Sequence, residues 1–246
     1  MRDKVSKLEY VFCDTGEELP ETYEYLFKLE AQLGLKIVRL NPERNFRYYL
    51  KLYKGMIPDS NSRWCTRLLK LLPFENYVGL DSVLLYVGIR ADESSRKGYV
   101  SKKPNIKPVF PFVKDGIMHN DVMRILKESG IGLPEYYKWR SRSGCYFCFF
   151  QQRREWVALL ENHPDLYWQA AKYEKSNQLS GRDFTWIKDE SLTALASNPV
   201  RIKRIKDDYL KRINKKSIIS RNSTLLNVFD EEDINIKKRS MGDEIS

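Results

Sequence analysis

The sequence predicts an α/β protein with a parallel sheet and a helical C-terminal extension. Short, continuous apolar runs alternate with helical patterns over the first hundred residues, as in parallel sheets that helices cover on both faces. From about residue 117 the pattern is helical, and 246 residues can build a substantial core. We therefore divide the chain into an α/β domain (1–115), a helical, cysteine-containing region (116–212) and a charged tail (213–246) that we expect to be flexible.

The first elements have the clearest sequence signals. Leu8–Cys13 is an apolar run that enters an Asp-Thr-Gly turn, which is typical of a buried strand. A helix is predicted to begin at Pro20 and to end at Gly34, with apolar residues at helical spacing between them. The further predictions, in chain order, are a strand in LKIVRLN, helices near 43–54 and 66–78 with an interruption at Pro73, and a strand in SVLLYVGIRADES.

The turn Asp14, Thr15 and Gly16 follows the first predicted strand. Ligands of open parallel sheets bind beyond the C-terminal ends of the strands. A carboxylate, a hydroxyl and a flexible glycine suit contacts to a nucleotide ribose or phosphate, or to a magnesium ion that the nucleotide carries. Ordinary turns have the same residues, so these three are candidates only.

The segment GIRADESSRKGY follows the strongest apolar strand. Arg90, Arg96 and Lys97 offer forked and point-charge donors, and guanidinium geometry suits phosphate or sulfate. Asp92 and Glu93 either orient these arginines or assist a metal, and a salt-bridged loop is the alternative. We assign Arg90 and Arg96 to phosphate binding and catalysis, and expect Arg90 to lie nearer the cleft than Lys97.

Four cysteines, Cys13, Cys65, Cys145 and Cys148, are the candidates for metal or redox chemistry. The N-terminus has no signal-peptide pattern and no apolar run has membrane-spanning length, so we expect a cytoplasmic protein with reduced thiols and no membrane contact. The C-x-x-C pair lets two sulfurs reach one centre, and Cys65 adds a third. Cys13 lies in a predicted strand, where a buried thiol is favoured over a fourth ligand.

The nature of a centre at Cys65, Cys145 and Cys148 stays open between iron–sulfur and zinc. A [4Fe–4S] cluster takes thiolate ligands, and we favour it. A closed zinc site needs a fourth ligand, and neither histidine has supporting spacing. A thioredoxin-like redox pair would instead open a helix after the first strand of a βαβ unit, which this pair does not.

The formal charge of +10 favours a polyanionic partner, either nucleic acid or a nucleotide-type substrate, although a solvated basic surface has the same charge. Four arginines near the cysteine pair could hold an anionic substrate there: Arg140, Arg142, Arg153 and Arg154. The aromatic residues of YFCFF could stack on bases, but we favour a place for them in the core.

Five pieces of the chain together resemble the phosphoadenosine phosphosulfate reductase family of the PP-loop ATP pyrophosphatases. They are, in family order, DTGEELPETYEY, RWCTRLLKLLPFENYVG, GIRADESSRKGY, PVFPF and SGCYFC. The resemblance implies a fold of the adenine nucleotide alpha-hydrolase type. The GCYFC…EW arrangement looks most like relatives associated with DNA phosphorothioation and phage defence, and is also similar to cluster-bearing tRNA thiolation enzymes.

The resemblance implies nucleotide-dependent sulfur transfer. In such relatives a cysteine desulfurase supplies sulfur, ATP activates the acceptor, and an iron–sulfur cluster takes part in transfer. We therefore expect transfer to a nucleic acid, with DNA favoured, on ATP or a related adenine nucleotide with magnesium. Two alternatives remain: a phosphoadenosine phosphosulfate reductase, although the tail contains no catalytic cysteine, and a non-catalytic subunit that binds nucleic acid or a partner.

One departure from the family pattern affects these expectations. The nucleotide loop Ser-Gly-Gly-x-Asp-Ser is absent, and the sequence begins at what should be the second strand. The loop lies upstream, is supplied by a partner, or is lost, and we expect slow or no ATP hydrolysis by this chain alone. We also expect an oligomer or a partner to cover the apolar edge of the first strand.

Overall fold

The computed structural model describes residues 8–96, 98–99, 103–142, 144–177 and 182–213. Lys97 and the predicted tail beyond Ile213 lie outside these residues. No helix within them combines the length and the apolar character needed to cross a bilayer. In chain order the elements are β1 (Tyr10–Cys13), α1 (Pro20–Leu33), β2 (Ile37–Leu40), α2 (Phe46–Leu52), α3 (Trp64–Thr66), a π-helical turn (Arg67–Leu71), α4 (Leu72–Val78), β3 (Val83–Tyr86), β4 (Ile106–Val109), α5 (Pro111–Lys114), α6 (His119–Glu128), a 3₁₀ turn (Glu135–Lys138), α7 (Arg153–Asn162), α8 (Pro164–Ala171), β5 (Lys175–Asn177), β6 (Arg182–Phe184), α9 (Leu192–Ala196) and α10 (199–213).

The first strand–helix–strand unit is confirmed. β1 and β2 pair in parallel, with Tyr10 opposite Ile37 and Cys13 opposite Leu40. α1 connects them, with a proline in its first turn. It ends at Gly34, whose φ of +56° is a left-handed conformation that favours glycine.

β3 and β4 form a second parallel pair, in which Val83 lies opposite Ile106. The predicted α/β class with parallel strands is thereby confirmed. In the part of the chain that the structure describes, β1–β2 and β3–β4 are separate two-stranded sheets. Each parallel strand therefore has one hydrogen-bonded neighbour among the described residues.

The segment from Trp64 to Val78 is continuously helical, so the predicted interruption at Pro73 is wrong. A π-helical turn precedes the proline, and the N–H of Leu72 closes it onto the carbonyl oxygen of Arg67. Pro73, which has no N–H to donate, follows in the first turn of α4, where a helix tolerates proline.

The region after residue 117 is not purely helical, which corrects the sequence prediction. β5 and β6 form a short antiparallel hairpin between α8 and α9. β4 is also absent from the predicted elements. These strands have three or four residues each, too few for a period of two to be recognised.

The hydrophobic core lies mainly in the helical half of the molecule. Trp156 and Tyr167 are fully buried there, together with residues of α9. Phe147, from the cysteine-containing loop, lies between the rings of Phe46 and Trp186, at 4.3 Å and 5.2 Å between centroids. Tyr146 and Phe147 thus anchor this loop to the core, as the sequence analysis favours, whereas Phe150 is exposed.

Candidate active site

The turn after β1 is held by its own side chains. Asp14 accepts hydrogen bonds through Oδ1 from the Gly16 N–H (2.9 Å) and the Tyr23 hydroxyl (2.8 Å). Gly16 has a φ of +73°, which explains the glycine. Thr15 is buried and donates to Glu18 Oε1 at 2.9 Å. The three candidate nucleotide-binding residues therefore share one ordered turn at the C-terminal end of a parallel strand.

This turn contacts the cysteine pair, 130 residues away in sequence. The Cys145 Sγ lies 3.2 Å from the Thr15 hydroxyl and donates to Glu18 Oε1 at 3.8 Å. The Tyr146 N–H donates to the carbonyl oxygen of Glu17 at 2.9 Å. Burial raises the pKa of the Cys145 thiol, and Glu18 raises it further, so this thiol is protonated at neutral pH in the absence of a ligand.

Lys70 interacts electrostatically with the cysteines. Burial lowers the pKa of its ammonium group, but Cys145, Glu18, Cys148 and Cys65 raise it, and the net direction is upward. The side chain belongs to the π-helical turn after α3, a kind of distortion that is frequent at functional sites. The partly buried Lys70 is therefore a cation that three thiols from two distant segments influence.

Cys65 and Cys13 occupy different positions relative to this lysine. Burial raises the pKa of the Cys65 thiol, Cys148 raises it further, and Lys70 opposes the change. Cys13 donates its S–H to the main-chain carbonyl oxygen of Lys70 at 3.4 Å, and burial raises its pKa. Cys13 is thus a partly buried thiol with a main-chain hydrogen-bond partner.

The loop with the cysteine pair is fastened by a buried arginine. Arg140 is 1% exposed and donates to the carbonyl oxygens of Gly144 (3.1 Å) and Cys145 (2.7 Å). Burial lowers the pKa of this guanidinium, although the neighbouring thiols and carboxylates oppose the change. Its two donated bonds hold the backbone that presents the Cys145 thiol.

A buried carboxylate binds the backbone on both sides of the same loop, at Ser141 and Gln152. Glu155 is fully buried and accepts from the Ser141 N–H (2.8 Å), the Ser141 hydroxyl (2.6 Å) and the Gln152 N–H (2.9 Å). Burial alone would raise its pKa, but these hydrogen bonds and Arg154 outweigh burial and lower it. Such a carboxylate is ionised at neutral pH and joins the loop to α7.

The loop after β3 has its arginines engaged with its own carboxylates. Arg90 Nε lies 2.9 Å from Asp92 and its Nη1 lies 3.6 Å from Glu93, while Arg96 lies 2.7 Å from Glu93. Hydrogen bonding from Arg90 lowers the pKa of Asp92. No hydrogen bond or ion pair within the described residues joins Arg90 or Arg96 to Asp14 or to the thiols. The structure thus brings the turn of Asp14, Thr15 and Gly16 to Cys145, and the arginines after β3 are held by their own carboxylates.

The predicted metal ligands converge without forming a coordination group. No three His, Cys, Asp or Glu side chains within the described residues are placed so that they could hold a metal ion. Cys65, Cys145 and Cys148 have the residue type that an iron–sulfur cluster requires, and Cys148 interacts electrostatically with both of the others. We derive no reaction step through a metal centre.

The sequence analysis missed Lys70, Glu18 and Glu155 as site residues, and it offered Arg140 to an anionic substrate, whereas Arg140 donates to the loop backbone. A lysine within the apolar run LLKLL, and charged residues on both sides of the cysteine pair, were visible signals. They could not be interpreted, because a buried charge is distinguished from an exposed one only by its tertiary partners.

Comparison with known proteins identifies the family. The chain matches the phosphoadenosine phosphosulfate reductase domain over residues 1–149, and it belongs to that family. It is 31% identical over 172 residues to an uncharacterized protein of Methanocaldococcus jannaschii, covering 65% of this chain and 34% of that protein. An uncharacterized protein of Escherichia phage 186 is 25% identical over 227 residues, covering 67% of this chain and 66% of the relative.

A named relative belongs to sulfur metabolism. Adenosine 5'-phosphosulfate reductase of Bacillus cereus is 28% identical over 88 residues, which are 35% of this chain and 37% of that enzyme. Among solved structures, phosphoadenylyl-sulfate reductase from Candida auris in a phosphate complex has a TM-score of 0.46 and 18% identity, covering 59% of this chain and 72% of that one. The chain spans between about a third and two thirds of the length of these curated relatives.

Proposed function

We propose that this protein catalyses nucleotide-dependent sulfur transfer to a nucleic acid, DNA being the first acceptor to test. The observation that carries this proposal is the contact of the Cys145 thiol with Thr15 and Glu18 at the turn after β1, where a nucleotide is expected. Membership of the phosphoadenosine phosphosulfate reductase family supports the broader class, nucleotide-dependent sulfonucleotide reduction or sulfur transfer.

The residues around Cys145 are suited to produce a thiolate. The thiolate, not the thiol, is the form of cysteine that ligates a metal or a cluster. Glu18 already accepts the hydrogen bond of Cys145 and can take its proton, while Lys70 opposes the pKa increase caused by burial. The Cys145 thiol is therefore neutral until a ligand binds, and the positive charge of Lys70 favours its ionised form.

The nucleotide would bind at the turn of Asp14, Thr15 and Gly16, with magnesium carried by its phosphates. The Thr15 hydroxyl then links nucleotide and thiol, since it lies 3.2 Å from Cys145 Sγ. Arg90 and Arg96 would bind phosphate by exchanging their carboxylate partners for it. A cysteine desulfurase is the proposed sulfur donor.

A cysteine-ligated iron–sulfur cluster, with zinc as the alternative, is the cofactor that we propose at Cys65, Cys145 and Cys148. When bound, a cluster would supply redox and sulfur-handling chemistry. Binding requires deprotonated thiols, and burial raises the pKa of both Cys65 and Cys145. Assembly should therefore release protons and be favoured at alkaline pH.

Sulfonucleotide reduction is the second candidate, and the similarity to adenosine 5'-phosphosulfate reductase favours it. The two functions differ in what leaves the enzyme. Reduction releases sulfite from a sulfonucleotide in the presence of a thiol reductant, whereas sulfur transfer places sulfur in the acceptor.

One experiment separates the two functions. The protein is incubated anaerobically with ATP, magnesium, a cysteine desulfurase and radiolabelled cysteine, and with DNA or tRNA as acceptor. ATP-dependent label in the nucleic acid, lost in Cys145→Ser, is the expected result. Sulfite release from phosphoadenosine phosphosulfate without labelling would establish the second candidate, and neither activity would support a non-catalytic subunit.

A further inference from the structure

Phe150 is an exposed aromatic ring flanked by two arginines. Its side chain is 41% exposed, and the guanidinium carbons of Arg63 and Arg142 lie 5.5 Å and 5.4 Å from its ring centroid. The preceding ring, Phe149, packs against it at 4.4 Å between centroids. Tyr146 and Phe147, from the same aromatic run, are 2% exposed, so Phe150 is the member that faces outward.

The two arginines differ from other arginines of the candidate site in having no carboxylate partner among the residues that the structure describes. Arg90, Arg96 and Arg154 each contact a carboxylate. Within the described residues neither Arg63 nor Arg142 has a carboxylate at ion-pair distance, and both are exposed. The guanidiniums of these two arginines beside the exposed Phe150 ring favour a ligand that carries both a negative charge and an aromatic ring.

These residues, which we call the Phe150 platform, come from the segments that carry the thiols. Arg63 precedes Cys65 by two residues, Arg142 precedes Cys145 by three, and Phe150 follows Cys148 by two. A ligand on the Phe150 platform would therefore be held by the same two segments that carry the thiols. This is where an acceptor of sulfur has to be held.

We propose that the Phe150 platform binds single-stranded nucleic acid, with one base stacked on Phe150 and the adjoining phosphates contacting Arg63 and Arg142. A base stacks on an aromatic face without regard to sequence, and arginines contribute phosphate contacts and cation–π interactions. An acidic peptide would satisfy the arginines but would leave the ring exposed. The inference deepens the proposed function, because it names where the acceptor binds.

Equilibrium binding of a short fluorescent single-stranded oligonucleotide tests the proposal without any sulfur chemistry. Phe150→Ala should weaken oligonucleotide binding by about 5- to 150-fold, because it removes one base-stacking contact. Phe150→Trp keeps an aromatic face and should bind with affinity close to that of wild type. The affinity should fall as salt rises, and Arg63→Ala and Arg142→Ala should each make the negative slope of log affinity against log salt shallower by about 0.7.

The chain offers a matched control on α1. Phe27 is 58% exposed beneath Arg39 at 4.6 Å, but Arg39 contacts Glu30 at 4.0 Å. Phe27→Ala and Arg39→Ala should leave oligonucleotide affinity within about twofold of wild type, since a neutralised arginine adds little to phosphate binding. Thermal melting of each variant separates lost binding from lost folding.

Three outcomes would overturn the Phe150 platform. The first is that wild type does not bind the oligonucleotide at low salt, and the second is that wild type and Phe150→Ala bind it equally. The third is that free ATP displaces the oligonucleotide and that ATP binding requires Phe150. The last result would assign the ring to a mononucleotide. Oligonucleotide binding that needs Phe150, without any sulfur transfer, would uphold the platform and reject the proposed function.

Discussion

The helical half of this molecule (residues 116–212) and its parallel strands, which we call the strand half, bury their apolar side chains to very different extents. Trp156, Leu159 and Leu192 are fully buried in the helical half. In β3, by contrast, Leu84 is 58% exposed and Tyr86 is 37% exposed. All four residues of β1 are only partly buried.

The difference follows from how each half is completed. The helical half is closed by aromatic contacts that extend to Phe46 of the N-terminal region. Parallel strands normally need helices on both faces and a neighbour on each side, and here β1 and β3 each have one described neighbour. We propose that a further strand, from a preceding segment or a partner, pairs along this part of the sheet.

The largest expected effect lies in the helical core. Trp156→Ala should lower the free energy of unfolding by about 3–5 kcal/mol, because it removes a fully buried ring. Leu84→Ala, in exposed β3, should change it by no more than about 0.5 kcal/mol. Urea titration of both variants checks this. A cost for Leu84→Ala approaching that of Trp156→Ala would mean that the strand half is as closed as the helical half.

A smaller effect is expected for the carboxylate that fastens the cysteine loop. Glu155→Gln should cost about 1.5–3 kcal/mol at neutral pH, because it weakens charge-assisted hydrogen bonds from Ser141 and Gln152. The pKa of Glu155 is below its ordinary value of 4.5, so its stabilisation is present above that pH and is lost as pH falls through the lower folded value.

Unfolding curves from neutral to acid pH measure this. The difference between wild type and Glu155→Gln should shrink below about pH 4.5. Glu161→Gln is the control on the same helix, since Glu161 is exposed and contacts Lys206 at the surface. A pH-independent difference would show that ionised Glu155 does not stabilise the fold.

In the strand half, the expected effect is on ligand binding. Arg90→Ala should weaken ATP binding by about 1.5–3 kcal/mol through the loss of a charge-assisted hydrogen bond, and Lys97→Ala should weaken it far less. Isothermal titration calorimetry gives both values. Equal, small losses would remove Arg90 from the nucleotide site.

The smallest effect concerns the strand edge. Amide hydrogens of β1 should exchange faster than those of α7 in the chain alone, because β1 has one described neighbour and a partly buried surface. A partner that supplies the missing strand should slow exchange in β1 and leave α7 unchanged. Equal protection of both elements in the isolated chain would contradict the comparison.

The sequence predicted the features that local patterns encode. Pro20 and Gly34 mark α1, and the apolar runs locate β1, β2 and β3. β4 was missed because Lys107 and Pro108 interrupt its apolar character. The structural roles of Arg140 and Glu155 were not predicted, because their burial depends on residues that are distant in sequence. The grouping of Cys65, Cys145 and Cys148 stays a prediction, and the contact of the Cys145 thiol with Thr15 and Glu18 was not predicted.

The central claim is that Cys65, Cys145 and Cys148 act as one centre from which Cys13 is excluded. Anaerobic purification with iron, sulfide and zinc analysis and an absorption spectrum tests it most directly. Wild type and Cys13→Ser should contain iron and sulfide, and Cys65→Ser, Cys145→Ser and Cys148→Ser should each lose both. Zinc in place of iron would keep the centre and reject the cluster. Metal-free wild type, or loss of metal only in Cys13→Ser, would contradict the account.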